Sequence, residues 1–214
     1  MTDDRSLPLL QQLDRWQDEA RRRHPEVIPC KPGCAACCHG PFDISVADVA
    51  VLVDAVARLP VVVQAEIRDR SRAQVAKMTS LEPSWRSPFD IGDIGEARFD
   101  AVCDALAEEP CPLLDATGRC LAYHHRPVVC RIMGLGLVTE SGHLIENECP
   151  IQAGFPRYHA LPPQPFDLES WEEAETEFRE KVASDRLGSA STSCFETTIA
   201  GALAVGLPMD PSRA

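Results

Sequence analysis

Four cysteines in nine residues, the run CKPGCAACC from Cys30 to Cys38, constrain this chain more than any other feature. Their spacing is C-x3-C-x2-C-C. Thiolates are soft ligands that suit zinc and iron–sulfur clusters, not magnesium or calcium. A tight turn can aim two sulfurs a few residues apart at one ion. Cys30-Lys31-Pro32-Gly33-Cys34 reads as such a turn, because Pro32 and Gly33 prevent a helix and bend the chain. A helical turn from Cys34 then brings Cys37 and Cys38 back to the same end. Adjacent side chains diverge by about 100° in a helix and face opposite sides in a strand. Cys37 and Cys38 therefore suit two neighbouring sites, or one ligand beside one packing thiol.

A second block completes the set: Cys111, Cys120, Cys130 and Cys149. CPLLDATGRCLAY reads as a hairpin turning at Asp115 and Gly118, with Cys111 opening one strand and Cys120 in its partner. Arg126-Pro127 fixes the approach to Cys130. Arg131 follows directly, and a guanidinium there can hydrogen-bond to sulfur or lower a thiolate pKa. Tyr123 can support the site through its hydroxyl. His39, His124 and His125 stand beside cysteines and could supplement them, although a surface or hydrogen-bonding role is the commoner use; His143 falls at an exposed turn. Eight thiols match two tetrathiolate sites, or one four-cysteine cluster with a separate metal. Cys103 shares a helix face with Phe99, Val102 and Leu106, which predicts core packing. Cys194, in a late helical segment, is expected to pack likewise.

Disulfides are the main competing use of an even cysteine count, and buried free thiols the next. The start MTDDRSLPLL has neither the basic region nor the apolar run of an export signal. The expectation is a cytoplasmic protein, where disulfides rarely persist. No apolar stretch reaches membrane-spanning length. The 21 basic and 33 acidic residues leave a formal charge of −12, which repels phosphate backbones and anionic lipid. Neither nucleic acid nor membrane is an expected partner; a metal ion is, and no protein partner is indicated.

Around the cysteines the chain reads as mainly α (α+β): a helical protein with small cysteine-bearing β-hairpins around a metal centre. Residues 1–29 are an N-terminal helix capped at Ser6 and stopped by Pro25, residues 30–150 a cysteine-cluster domain, and residues 151–214 a helical extension packed on the same core. Ser45, with Asp48 three residues on, caps a helix whose apolar face is Val49, Leu52, Val53 and Val56. Further helices are expected from Val61 to about Met78, over EARFDAVCDALAEE, from Trp171 to Ser184 and from Ser193 to Val205. GLVTESGHLIE is a second hairpin, turning at Ser141-Gly142, and the tail PMDPSRA is frayed. The acidic run ESWEEAETEFREK is a solvated face. No internal repeat, nucleophile triad or phosphate loop is evident; the lone Gly134-x-Gly136 reads as a strand entry.

CKPGCAACCHG, the following ISVADVAVL, CPLLDATGRCLAYHHRPVVCR and Cys149-Pro150 together resemble a bacterial cysteine-cluster family of the CxxCxxCC type, a zinc- or iron-chelating domain. The likeness spans about Cys30 to Pro150 and is strongest where Tyr123, Arg126-Pro127 and Cys130-Arg131 follow the first motif. It implies chelation by the eight cysteines. Flagellin lysine N-methylases contain a similar cysteine domain, which implies an alternative as an iron–sulfur-dependent enzyme or electron carrier. This chain is short for such an enzyme and shows no methyl-donor signature.

Overall fold

The computed structural model describes residues 6–30 and 33–206. The expected bend at Lys31-Pro32 and the tail PMDPSRA lie outside the described residues. Among the described residues eight α-helices and five short strands follow in order: α1 (Ser6–Arg23), β1 (Asp43–Ser45), α2 (Val46–Val56), α3 (Val61–Leu81), α4 (Glu96–Ala105), α5 (Val128–Ile132), β2 (Leu137–Val138), β3 (Leu144–Ile145), α6 (Pro156–His159), β4 (Gln164–Pro165), α7 (Leu168–Val182), β5 (Glu196–Thr198) and α8 (Ile199–Val205). The protein is mainly α with small β-hairpins, as the sequence predicts.

α2 is the hub. The Asp48 N–H donates to Ser45 Oγ at 3.2 Å, the expected cap. Where sequence periodicity gives α2 one apolar face, the helix is buried on nearly every side, from Val46 through Leu52 and again at Ala55. The cause is tertiary: α7 and α8 pack on it, and β1 leads into it. β1 pairs antiparallel with β5, Asp43 opposite Thr198 and Ser45 opposite Glu196. Each strand runs straight into a helix capped by its last hydroxyl residue, Ser45 for α2 and Thr198 for α8. The stretches FDISVA and FETTIA are thus two copies of one strand–cap–helix device, back to back.

This pairing corrects the sequence reading of one helix from Ser193 to Val205. A 3-10 turn ends at Thr192, β5 occupies 196–198, and α8 starts only at Ile199. Thr197 and Thr198 are β-branched residues that fit a pleated strand, and both are buried there. Cys194 is exposed in the loop before the strand, so it is not a packing residue. Cys103 is half-buried against the cluster of Phe99, Val102 and Leu106, and donates to the Pro41 carbonyl at 3.5 Å.

Three apolar clusters organise the interior. The first joins α2, α3, α7 and α8 with Cys111, Leu113 and Ala122. The second surrounds Trp85, with Phe89 and Phe99 edge-on to its ring. The third joins Trp16 and Ala20 of α1 to Leu135, Leu137, Cys149 and Tyr158. The expected hairpin at Ser141-Gly142 is formed by β2 and β3, and β4 adds parallel to β2. Among the described residues no helix is long and apolar enough to cross a membrane.

Candidate metal centre

From Gly33 to Cys38 the first cysteine motif forms turns, not a helix. The Cys38 N–H closes one turn on the Ala35 carbonyl at 3.0 Å. The chain then runs antiparallel to the start of the second block. His39 bridges Pro110, Gly40 N–H donates to the Glu109 carbonyl at 2.7 Å, and Cys111 N–H donates to the Cys38 carbonyl at 2.9 Å. Cys111 is therefore ordered by the first motif.

The hairpin read from CPLLDATGRCLAY exists but is tighter than expected. Asp115 Oδ1 accepts the N–H groups of Thr117 and Arg119 at 2.8 and 2.9 Å, the local side-chain turn that aspartate favours. Gly118 takes φ +76°, a left-handed position that suits glycine. Cys120 pairs with Leu114, and Leu121 with Leu113. Cys111 stands ahead of the ladder and is not Cys120's partner in it. Cys130 rides on α5, whose first N–H, from Val128, donates to Asp48 Oδ1 at 3.2 Å. Asp48 thus links the hub helix to the helix carrying Cys130. Burial pushes the Asp48 carboxyl up to about 7, with the Val128 N–H opposing and Glu175 adding to the rise. Cys149 is delivered by the β2–β3 hairpin, and its N–H donates to Gln152 Oε1 at 3.0 Å.

These elements enclose one cavity of about 410 Å³. Cys30, Cys34, Cys37, Cys38, Cys111, Cys120 and Cys130 all line it. Cys149 does not line it; it is buried beside Tyr158, whose hydroxyl meets Cys30 Sγ at 3.9 Å. Cationic and polar side chains share the wall, among them Arg21, Arg126, Tyr123 and His124. The Nε–H groups of Arg21 and Arg126 are buried with no hydrogen-bond partner among the described residues.

Ionising Cys30, Cys37, Cys111, Cys120, Cys130 and Cys149 is costly. Burial raises Cys30, with the neighbouring Cys149 adding to it. Cys37 is raised first by its hydrogen bond with Cys38 and then by burial. Burial lifts Cys111 to about 12, and lifts Cys130 well above the usual thiol range with help from Cys111 and Cys120. Arg126 opposes the rise at Cys37, Cys120 and Cys130. Among the described residues no three cysteine, histidine or acidic side chains already converge closely enough to hold a metal ion.

Two of the supporting residues depart from expectation. Arg131 does not approach sulfur. It is 1 % exposed, paired with Asp14 of α1, and donates to the carbonyls of Arg126 and His124 at 2.8 and 2.9 Å. Its guanidinium has five donors in a fixed fork, and the backbone turn around 124–126 wraps them. Arg131 is thus a tether between α5 and α1. Arg126 does face the thiols, held by Asp14 Oδ1 at 3.1 Å and lying 3.9 Å over the Tyr123 ring. Tyr123, 39 % exposed, meets Arg126 through its ring face. His39 meets its neighbours through its backbone bridge to Pro110, His125 is half-buried, and His143 is exposed.

Sequence reading missed Gln17, Arg21 and Tyr158. The first two look like the polar stripe of an amphipathic helix; Tyr158 sits in the loop FPRYHALPPQPFD, with no local sign of its destination.

Seven cysteines scattered along a mainly helical chain thus meet on the wall of one cavity. The particular family follows from comparison: residues 29–150 match the CxxCxxCC family model, described as "Putative zinc- or iron-chelating domain". The chain belongs to this family, and the match indicates zinc or iron chelation. Searches of the curated proteins and of the solved structures gave no significant match.

Proposed function

We propose that this is a metal-chelating protein that holds zinc or iron through Cys30, Cys34, Cys37, Cys38, Cys111, Cys120, Cys130 and Cys149. The observation that carries the reading is the convergence of seven of these thiols on one cavity, with the eighth, Cys149, packed beside the tyrosine that meets Cys30. The donor set fits the group. Soft sulfurs predominate, and the buried thiols, whose ionisation burial and mutual repulsion oppose, gain from a cation among them. Thiolates gathered around a divalent cation leave net negative charge, which the unpartnered N–H groups of Arg21 and Arg126 are suited to meet.

The thiols must draw together on binding, which couples chelation to the final packing of the turns that carry them. Bound zinc enclosed by four thiolates supplies a structural link, whereas iron with sulfide supplies an electron-transfer centre. The cavity volume favours keeping the iron–sulfur reading, as an electron carrier or as support for an enzyme such as a lysine N-methylase: about 410 Å³ is in the range of small-molecule sites. We place the metal-binding unit at residues 30–150, with the segments on either side as helical extensions of the same core. Thiolate chelation also suits a reducing compartment, the cytoplasm.

The test is anaerobic purification with a visible spectrum and assays for zinc, iron and acid-labile sulfide. Zinc without colour supports the structural centre and rejects the cluster. A brown protein with sulfide does the reverse. All ten thiols freely titratable and no retained metal reject chelation.

A further inference from the structure

We propose that the eight thiols form two neighbouring metal centres whose division falls between the adjacent residues Cys37 and Cys38. Cys30, Cys34, Cys37 and Cys149 belong to the first, with the Tyr158 hydroxyl hydrogen-bonded to Cys30. Cys38, Cys111, Cys120 and Cys130 belong to the second. The inference rests on the chelation reading above.

The second set and Cys149 of the first pack on different parts of the core. Cys38, Cys111, Cys120 and Cys130 all pack on the cluster built around α2 and α8. Cys149 packs on the other side, with Trp16, Leu135 and Tyr158. Electrostatic neighbourhoods divide the same way. Cys149 lies within electrostatic reach of Cys30, Cys37 and Cys34, while the thiol neighbours of Cys130 are Cys111 and Cys120. The sets meet at the Cys37–Cys38 contact.

Tyr158 marks the first centre. Its side chain is 1 % exposed, and its hydroxyl lies 3.9 Å from Cys30 Sγ. Gly134 makes room for it. A Cβ at Gly134 would stand 2.2 Å from Tyr158 Oη and 3.2 Å from Cys149 Cβ. Tyr158, Cys30 and Cys149 therefore share one packed corner. A metal-bound Cys30 is a thiolate and can only accept, so the tyrosine O–H donates. Such a bond draws charge from the sulfur and orients it, making Tyr158 a positioning residue.

The test loads the full chain anaerobically with Co²⁺ alone, counts metal by native mass spectrometry, and follows the sulfur-to-cobalt and d–d absorption bands. Wild type is expected to bind two. Cys149→Ser and Cys120→Ser should each retain one, and the double variant none. Tyr158→Phe should keep both but shift the charge-transfer band and release one cobalt about tenfold faster, the scale of lost outer-shell support. A wild-type count of one, or loss of both metals from either single cysteine variant, overturns the division. The wild-type count needs no variant to fold. Tyr158→Phe with unchanged band and release, or with both metals released equally faster, overturns the positioning role and leaves chelation standing. Wild type that takes up no thiolate-bound cobalt overturns the chelation reading and this inference together.

Discussion

The backbone N–H of Cys111 donates to the carbonyl of Cys38 at 2.9 Å, across 72 residues of intervening chain. One peptide hydrogen bond thus ties the two cysteine blocks together, at the thiol where the proposed centres meet. Chelation, in this arrangement, joins segments that are already in register.

Cysteine substitutions should separate ligands from spectators. Cys34→Ser and Cys130→Ser are expected to lower metal content and thermal stability together. A ligand present at a thousand times its Kd adds about 4 kcal/mol to folding, and each variant should forfeit much of one centre's share. Cys194→Ser should change neither quantity, because that thiol is exposed. Cys103→Ser should cost stability by at most about 1 kcal/mol and leave metal content intact, since serine can keep the bond to Pro41. Metal analysis alongside Tm measurement checks all four.

Arg131→Ala should destabilise by about 2–4 kcal/mol, since it strands the carbonyls of Arg126 and His124 and removes a buried partner of Asp14. Asp14 keeps Arg126, which holds the cost below that of a fully orphaned charge. Urea unfolding with metal saturated reads the loss. The visible spectrum should survive below the transition, because this guanidinium faces α1 and not the thiols. A spectral change in the folded variant would contradict that placement.

Asp48 should impose a pH slope. Its carboxyl is raised from 3.8 to about 7 in the folded protein, chiefly by burial. Between those values the unfolded chain is ionised while the folded one keeps its proton, so the folded state binds more protons and stability falls as pH rises. Below pH 4 and above about 7 the contribution is flat. The whole loss is on the order of 4 kcal/mol. Asp48→Asn keeps an acceptor for the Val128 N–H and should remove that slope. Unfolding free energies of both proteins at pH 5 and pH 8, under the same metal loading, give the comparison. Parallel profiles would show that Asp48 is ionised when folded.

Gly134→Ala should cost about 1–3 kcal/mol. Gly134 has φ +86°, and an added methyl would collide with Tyr158 Oη. The same change should speed metal release from the Cys149 side while sparing the other. Calorimetry and cobalt release rates test the two halves separately.

Much of the architecture was written locally. Ser45 and Asp48 announced the start of α2, Ser141-Gly142 the second hairpin, and Asp115 with Gly118 the first. Each depends on contacts within a few residues, which a linear reading can follow. The end of α7 and the start of α8 were harder. Thr197 and Thr198 become strand only because β1 lies beside them, and no residue nearby declares that partner.

The sequence by itself determined the available donor chemistry: eight soft thiols in two blocks, in a chain whose acidic balance disfavours polyanions. It also posed the question of the doubled cysteine, since neighbouring side chains diverge. Tertiary structure alone decided which thiols are neighbours, because cysteines far apart in sequence meet through core packing and strand register. The same packing turned Arg131 towards Asp14, brought Arg126 to the sulfurs, and set Tyr158 beside Cys30. A buried guanidinium or hydroxyl goes where its hydrogen bonds can be satisfied, and those partners lie on elements that only folding brings together.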